Sequence, residues 1–408
     1  MTTETLEAFE RRVEEFFDQH AERAPERRGW GDGDDALVSA GLTKDEHTPE
    51  DVELARKFQH ELFDHGLAWL SGPAEYGGAE LGPEFVAAFR RIAARYDTPD
   101  LSTFMIGQRI VAPAVLLYGR PDQKDRWLRA IWRGDEIACQ VFSEPEAGSD
   151  LASLRCRARP DGDGWRISGQ KVWSSGAHVS DVGEVLARTE DDPDLRHKGL
   201  TMFMVDMDAE GVQIRPLRQM NGNSHFNEVF FDDVWVPASA MLGERGEGWR
   251  VANASLQSER DLAPEDSGLF IDPLDRLIEL AQHTGASADP GVRQQLATHH
   301  ARMLIGRLTA DRLRNAEGPA AAVMASLTKL YESHTMWELA QTSAEILGAR
   351  AAADTGEWGT YCWTDVVLSV QSQRIAGGTD EIQRNILAER GLGLPREPSP
   401  ASTRGASS

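Results

Sequence analysis

Four short stretches hold the residue types that chemistry needs. ASLQSERDLA places Glu259 beside Arg260, a carboxylate that can take a proton next to a guanidinium that can hold an anion or a helix end. On most helices such a pair is simply solvated surface. SEPEAGSD, Ser143 to Asp150, is a Ser/Gly loop whose small residues let backbone amides approach a ligand closely. KVWSSG ends a strand with Trp173, an aromatic that in isolation belongs to a core. IAGGTDEIQRNILAER, Ile375 to Arg390, is a Gly-Gly turn opening into a charged amphipathic helix. Thr379 is placed to cap that helix, and a helix N-terminus there offers amides to an anion. His299 and His300 lack metal-ligand spacing, and no metal site is expected.

The elements that must position these residues fall into three zones. Residues 1–135 show helical stripes: LEAFERRVEEFFDQH puts Leu6, Phe9, Val13, Phe16 and Phe17 on one face. PEDVELARKFQHELFDHG, PEFVAAFRRIAARYDTP and PDQKDRWLRAIWRGD continue the pattern, the last with Trp127 and Ile131 inward. Residues 136–243 alternate polar and apolar residues between turn clusters, with no long helical pattern, which predicts an all-β middle domain. From residue 244 to 394 long Ala/Leu-rich helices return, four or five of them joined by short loops, which predicts a bundle. The Pro/Ser-rich tail, 395–408, reads as disordered. The fold class is therefore α+β multidomain: an all-α N-terminal domain, a β-barrel-like middle domain and a C-terminal four-helix bundle. No GxGxxG follows a strand and there is no P-loop, so a nicotinamide Rossmann domain is not expected.

Composition narrows the partners. The 408 residues carry a formal charge of −23, which argues against nucleic acid or an anionic membrane surface. An anionic cofactor or substrate needs local help from helix N-termini and single arginines. Three scattered cysteines, Cys139, Cys156 and Cys362, suit a reducing compartment. No apolar run approaches the ~20 residues of a membrane span, and a cytoplasmic location is expected.

Five blocks in order make the chain resemble the flavin-dependent acyl-CoA dehydrogenases over roughly residues 50–395: PAEYGGAELG, VFSEPEAGSDLASL, GQKVWSSGAH, FNEVFFDDVWVP followed by GERGEGW, and GGTDEIQRNILAERGLGLP. The resemblance implies oxidation of an acyl-CoA thioester between Cα and Cβ, with FAD lying between the middle and last domains. It assigns Phe142, Ser143, Gly148, Ser149, Trp173, Ser174 and Ser175 to the cofactor, with Ser149 also near the substrate. It assigns Thr379 and Glu381 to FAD as well, and Gly377 and Gly378 to the substrate's thioester. AEILGAR corresponds to a stretch that reaches the FAD of a neighbouring subunit, through Glu345, Ile346 and Gly348. The family's usual glutamine there is Glu345 here and its second glycine is Ala349, so a carboxylate would face a pyrophosphate. The family's pyrophosphate-binding arginine is not evident in GLFIDPLDRL.

One departure bears on mechanism. The family commonly carries a catalytic glutamate directly before the second glycine, and this chain has Gly377 there. Some members, the isovaleryl-type enzymes among them, use a glutamate at the position of Glu259 instead, with Arg260 beside the substrate. Gly377 keeps its N–H as an oxyanion donor and leaves room for a branched or bulky acyl group. The expected partners are an acyl-CoA or acyl-carrier-protein thioester, an electron-transfer flavoprotein or similar acceptor, and a second copy in a homodimer or homotetramer. Three alternatives stay open: a heteromeric subunit lacking its own base, a flavin monooxygenase on the same fold, and a non-enzymatic scaffold.

Overall fold

The computed structural model describes residues 4–24, 48–260, 273–314, 316, 318–353 and 359–396. Helix α1 (Leu6–His20) starts at Thr5, whose side chain accepts from the Ala8 N–H. Phe9, Val13, Phe16 and Phe17 are buried as the stripe predicts. Leu6 is not: it is 39% exposed, because it opens the helix one turn before the first packed ring. Helix α2 (Pro49–Asp64) has a capping box between Thr48 and Asp51. Helices α3 (Pro83–Ala93), α4 (Ala112–Tyr118) and α5 (Pro121–Arg133) follow. Strands β1 (Glu22–Arg23) and β2 (Tyr96–Asp97) pair between them. The helix entering α4 begins with a π-helical turn, Gly107–Val111. Trp127 and Ile131 point inward on α5, and Trp69 stacks on Trp132 at 4.8 Å. In PAEYGGAELG the chain doubles back on residues 69–73; a Cβ at Gly78 would lie 2.2 Å from the Gly72 backbone, so only glycine fits.

The middle region is an eight-stranded sheet. Its strands are β3 (Ala138–Val141), β4 (Arg157–Asp161), β5 (Gly164–Ser175), β6 (Val182–Arg188), β7 (Leu200–Asp206), β8 (Val212–Leu217), β9 (Phe226–Pro237) and β10 (Met241–Leu242). Pairing runs β10-β7-β6-β4-β5-β9-β8, and β3 joins β6 in parallel. Residues far apart along this path, such as Phe203 on β7 and Val229 on β9, share one core cluster, so the sheet curls round it. That is the barrel-like middle domain expected from the alternation.

Helix α6 (Gly248–Arg260) was expected to belong to the bundle, but it packs against β7 and α4. Val251 and Ala252 sit in the same cluster as Leu200, Met202 and Leu242. The described residues accordingly divide into two compact units, one ending with α6 and one beginning with α7.

The second unit contains α7 (Pro273–His283), α8 (Pro290–Arg314), α9 (Pro319–Leu347), α10 (Thr360–Gln373) and the short α11 (Asp380–Ile386). Helix α10 was not among the helices read from the sequence. Its TYCWTDVVLSVQSQ is rich in β-branched and aromatic residues, which have modest helix propensity. Burial of Cys362, Trp363, Val366 and Val370 against its neighbours overrides that preference. The four helices α7–α10 pack together within this unit. The expected disordered tail lies, from residue 397 on, outside the described residues.

Asp380, the first residue of α11, anchors this unit. Its carboxylate is 1% exposed and lies 2.8 Å from Arg374 Nε, 3.1 Å from His334 Nε2 and 3.4 Å from Lys329 Nζ, while Ser333 Oγ donates at 3.0 Å. Burial pushes its pKa up, but the Arg374 and Ser333 hydrogen bonds and the Lys329 and His334 charges outweigh burial and hold it below the ordinary value. A depressed carboxylate stabilises the native state above its unfolded pKa and loses that contribution as pH falls through the folded value. Asp380→Asn is therefore expected to cost about 3–5 kcal/mol, the scale for unpairing buried charges, and to weaken the acid dependence of unfolding below about pH 4, both measured by urea denaturation across pH.

Candidate active site

The loop Phe142–Leu154 is held by a buried ion pair that the sequence reading did not single out. Lys171 on β5 is fully buried. Its Nζ donates to the Phe142 carbonyl at 2.9 Å, the Leu186 carbonyl at 2.7 Å and Glu144 Oε1 at 3.0 Å, which uses all three ammonium protons. Glu144 also accepts from the backbone N–H groups of Arg155 and Cys156 at 2.6 and 2.8 Å. The Val172 N–H donates to the Ser143 carbonyl at 2.9 Å, fixing the loop to β5. The structure therefore brings the two expected stretches, SEPEAGSD and KVWSSG, side by side. A lysine in a strand otherwise facing a core is the signal that would have found this pair, since such a charge must be matched.

Between Lys171 and Ser174 the β5–β9 register slips. Trp173 sits at that irregularity with φ +63° and is 60% exposed, its ring edge-on to Phe226 at 5.8 Å. A left-handed tryptophan costs on the order of 1–3 kcal/mol and persists where its surroundings enforce it. Ser174 is 1% exposed, and its Oγ has no partner among the described residues. Phe142 is buried, Ser143 and Ser175 are half-buried, and Gly148 and Ser149 are exposed, with open space around Gly148. An exposed indole, a buried hydroxyl without a partner among the described residues and an open glycine loop, brought close together by the Val172–Ser143 bond, fit a flat aromatic cofactor.

A cleft of about 590 Å³ opens beside the same loop, lined among others by Arg155, Arg157, Arg188, Arg196, Asp191 and Asp192. The Arg188 guanidinium is occupied by the carbonyls of Ala152, Leu154 and Arg196. Arg155 pairs with Glu146 at 2.9 Å and Arg157 with Asp191 at 3.4 Å. Four arginines face two aspartates here, a local excess of positive charge in a chain of charge −23.

Helix α6 reaches position 259 in its last turn; the side chains of Glu259 and Arg260 lie outside the described residues. One turn earlier, Ser255 Oγ donates to Glu184 Oε1 on β6 at 2.8 Å, with both residues fully buried. Burial pushes the Glu184 carboxyl up to about 8, against which the Ser255 hydrogen bond pulls only partly.

In the second unit the Gly-Gly turn has φ +64° at Gly377 and +93° at Gly378. Buried Gln383 donates Nε2 to both carbonyls, at 2.9 and 3.2 Å. The Gly377 N–H has no acceptor among the described residues. Thr379 caps α11 as expected, accepting from the Ile382 N–H at 3.3 Å. Glu381 is 75% exposed, and hydrogen bonds from its own N–H and from Thr379 hold its carboxyl low. Glu345 is exposed and accepts from Gln295 at 2.7 Å, Ile346 is buried in the bundle, and Gly348 ends α9 at φ +55°.

Family models describe the same three regions: the acyl-CoA dehydrogenase N-terminal domain matches residues 3–135, the middle domain 139–234 and the C-terminal domain 246–392. The chain belongs to the acyl-CoA dehydrogenase family. It is 39% identical over 366 residues to the acyl-CoA dehydrogenase IpdE1 of Mycobacterium tuberculosis, covering 89% of this chain and 93% of that one. Among solved structures, the Tcur3481-Tcur3483 steroid ACAD superposes with a TM-score of 0.76 at 25% identity, covering 96% of this chain and 98% of that one. The ChsE4-ChsE5 complex from Mycobacterium tuberculosis gives 0.72 at 26%, covering 97% and 100%. This acyl-CoA dehydrogenase is thus a flavin-dependent oxidoreductase of acyl-CoA substrates. Among its described residues no helix is long and apolar enough to cross a membrane.

Two outcomes follow for the acyl-CoA dehydrogenase. Lys171→Met leaves Glu144 buried without its cation, so it is expected to lose about 3–5 kcal/mol in urea unfolding and to release its flavin more readily on gel filtration. Glu184 has a folded pKa raised from 4.5 to about 8, so the native state binds the extra proton and stability falls as pH rises through that window. Glu184→Gln is expected to flatten that slope, read from denaturation midpoints at several pH values.

Proposed function

We propose that the chain introduces a Cα–Cβ double bond into an acyl-CoA thioester, with FAD as its flavin and Glu259 as the base. The observation that supports the cofactor reading best is Trp173, held in a left-handed conformation and exposed beside the unpaired Ser174 hydroxyl. On this reading Phe142, Ser143, Gly148, Ser149, Trp173, Ser174 and Ser175 hold the isoalloxazine and ribityl parts, and Thr379 and Glu381 belong to the same cofactor. A bound FAD supplies the two-electron acceptor for the hydride leaving Cβ.

The chain's own residues handle the proton and the charge. The Glu259 carboxylate takes the α-proton. As the C–H electron pair moves towards the thioester, negative charge grows on its oxygen, and the unpaired N–H of Gly377 is the donor for it, a contribution of roughly 3–4 kcal/mol where such donors have been removed from other enzymes. Gly378 shapes the same turn, and Arg260 holds the substrate beside the end of α6. Arg155, Arg157 and Arg196 receive the phosphates of CoA in the basic cleft. An electron-transfer flavoprotein or a similar acceptor would take the two electrons onward.

A second reading is favoured by Glu345. The family stretch it belongs to reaches the FAD of a neighbouring subunit, and an exposed carboxylate there repels a pyrophosphate. A second, different chain would then supply that contact, an arrangement matching the two-protein names of the solved relatives. One experiment addresses both. The purified chain with FAD is mixed anaerobically with a panel of acyl-CoAs, and flavin bleaching is followed. Glu259→Gln is expected to keep FAD and to bleach at least about a hundredfold more slowly. Equal bleaching by wild type and variant rules out Glu259 as base. Bleaching that appears only with an added second chain establishes the heteromeric form.

A further inference from the structure

The mechanism above makes no use of Glu184. Its side chain is fully buried in the middle of β6, among Leu186, Met202, Met204 and the apolar face of α6. One carboxyl oxygen accepts from Ser255, and the other, Oε2, has no partner among the described residues. Gln140 on β3 is in direct register with Glu184, so the two side chains stand on one face of the sheet. The Gln140 Nε2 is likewise buried and unpartnered. The π-helical turn Gly107–Val111 packs on both β3 and α6, and it carries a third such group, Gln108 Nε2.

This cluster borders the proposed site on two sides. Gln140 lies two residues before Phe142, which follows directly on the end of β3. Ser255 lies four residues before position 259 on the same side of α6, about 6 Å of helical rise. Burial keeps Glu184 protonated at neutral pH, so Oε2 carries a hydrogen, and each amide nitrogen carries two. All three buried groups can donate, and none meets an acceptor among the described residues. Each unpaired buried donor costs on the order of 1–3 kcal/mol, a cost that a ligand oxygen would remove.

We propose that Glu184 and Gln140, with Gln108 beside them, bind a carbonyl or hydroxyl oxygen on the acyl group, so that the substrate is an oxygenated acyl-CoA rather than a plain hydrocarbon one. The inference rests on the proposed acyl-CoA oxidation with Glu259 at the end of α6, and it assigns these residues to specificity alone. Sites built to hydrogen-bond a substrate oxygen discriminate strongly against analogues that lack it, because their own donors are then left bare.

The test compares cyclohexanecarbonyl-CoA with its para-oxo analogue on the full chain with FAD, by kcat/KM from flavin bleaching and by calorimetric Kd. Wild type is expected to favour the oxo thioester at least about tenfold in both measures. Glu184→Leu and Gln140→Leu are expected to abolish that preference while changing the plain thioester less than about threefold. Glu184→Gln retains a donor and is expected to keep the preference. Equal handling of the two thioesters by wild type overturns the proposal, as does an equal loss on both in the Leu variants. Failure of the oxidation itself has a different signature: neither thioester bleaches the flavin. In that case a tenfold tighter Kd for the oxo form, lost in Glu184→Leu, upholds oxygen recognition by itself, and equal Kd values overturn it.

Discussion

The loop Phe142–Leu154 depends on one buried charge, the ammonium of Lys171. A lysine removed from water is tolerated only when every proton is matched and an anion is near. Lys171 meets both demands with two carbonyls and Glu144. Because the carbonyls belong to Phe142 on one segment and Leu186 on another, the cation ties the glycine loop to the sheet on both sides. Glu144 spends its remaining capacity on the N–H groups of Arg155 and Cys156, which fixes the far end of the loop. The pair therefore orders the loop more than it stabilises the fold. Trp173 follows two residues after this anchor, and the register slip turns it outward instead of into the core.

The second unit uses a similar device at its own turn. Asp380 gathers Arg374, Lys329 and His334, and it does so at the first residue of α11, immediately after the Gly-Gly turn. Gln383, one turn on, clamps both glycine carbonyls. With the carbonyls engaged and no acceptor for the Gly377 N–H among the described residues, the turn presents a donor. The clamp engages only backbone carbonyls of the turn, so its geometry does not depend on a side chain at position 377.

Much of this was legible in the sequence, and the exceptions share a cause. Periodicity gave the helical ends and the β centre, and turn chemistry gave the Thr379 cap. The β-branched run of α10 was missed because its helicity comes from burial, and the packing of α6 on β7 and α4 was not legible because sequence order says nothing about which surface an apolar stripe covers. Leu6 failed for being terminal in its stripe. Among candidate site residues, the serines and glycines were singled out through family blocks, whereas Lys171, Glu184 and Gln383 were not. Each is a polar residue inside an element, and its partner lies 27, 71 or 6 residues away. Such pairings are a property of the folded chain, and a single sequence marks them only as a charge or an amide in an apolar phase.

The basic cleft stands out against a strongly acidic molecule. Its arginines act over roughly one Debye length, about 8 Å at physiological ionic strength, while the remaining excess of carboxylates repels an approaching polyanion from further out. Association and retention of such a ligand should respond to salt in opposite senses. Added electrolyte screens the distant repulsion and speeds encounter, yet it loosens the grip once the phosphates have arrived. An intermediate ionic strength, neither the lowest nor the highest, would then give the fastest capture for a given residence time.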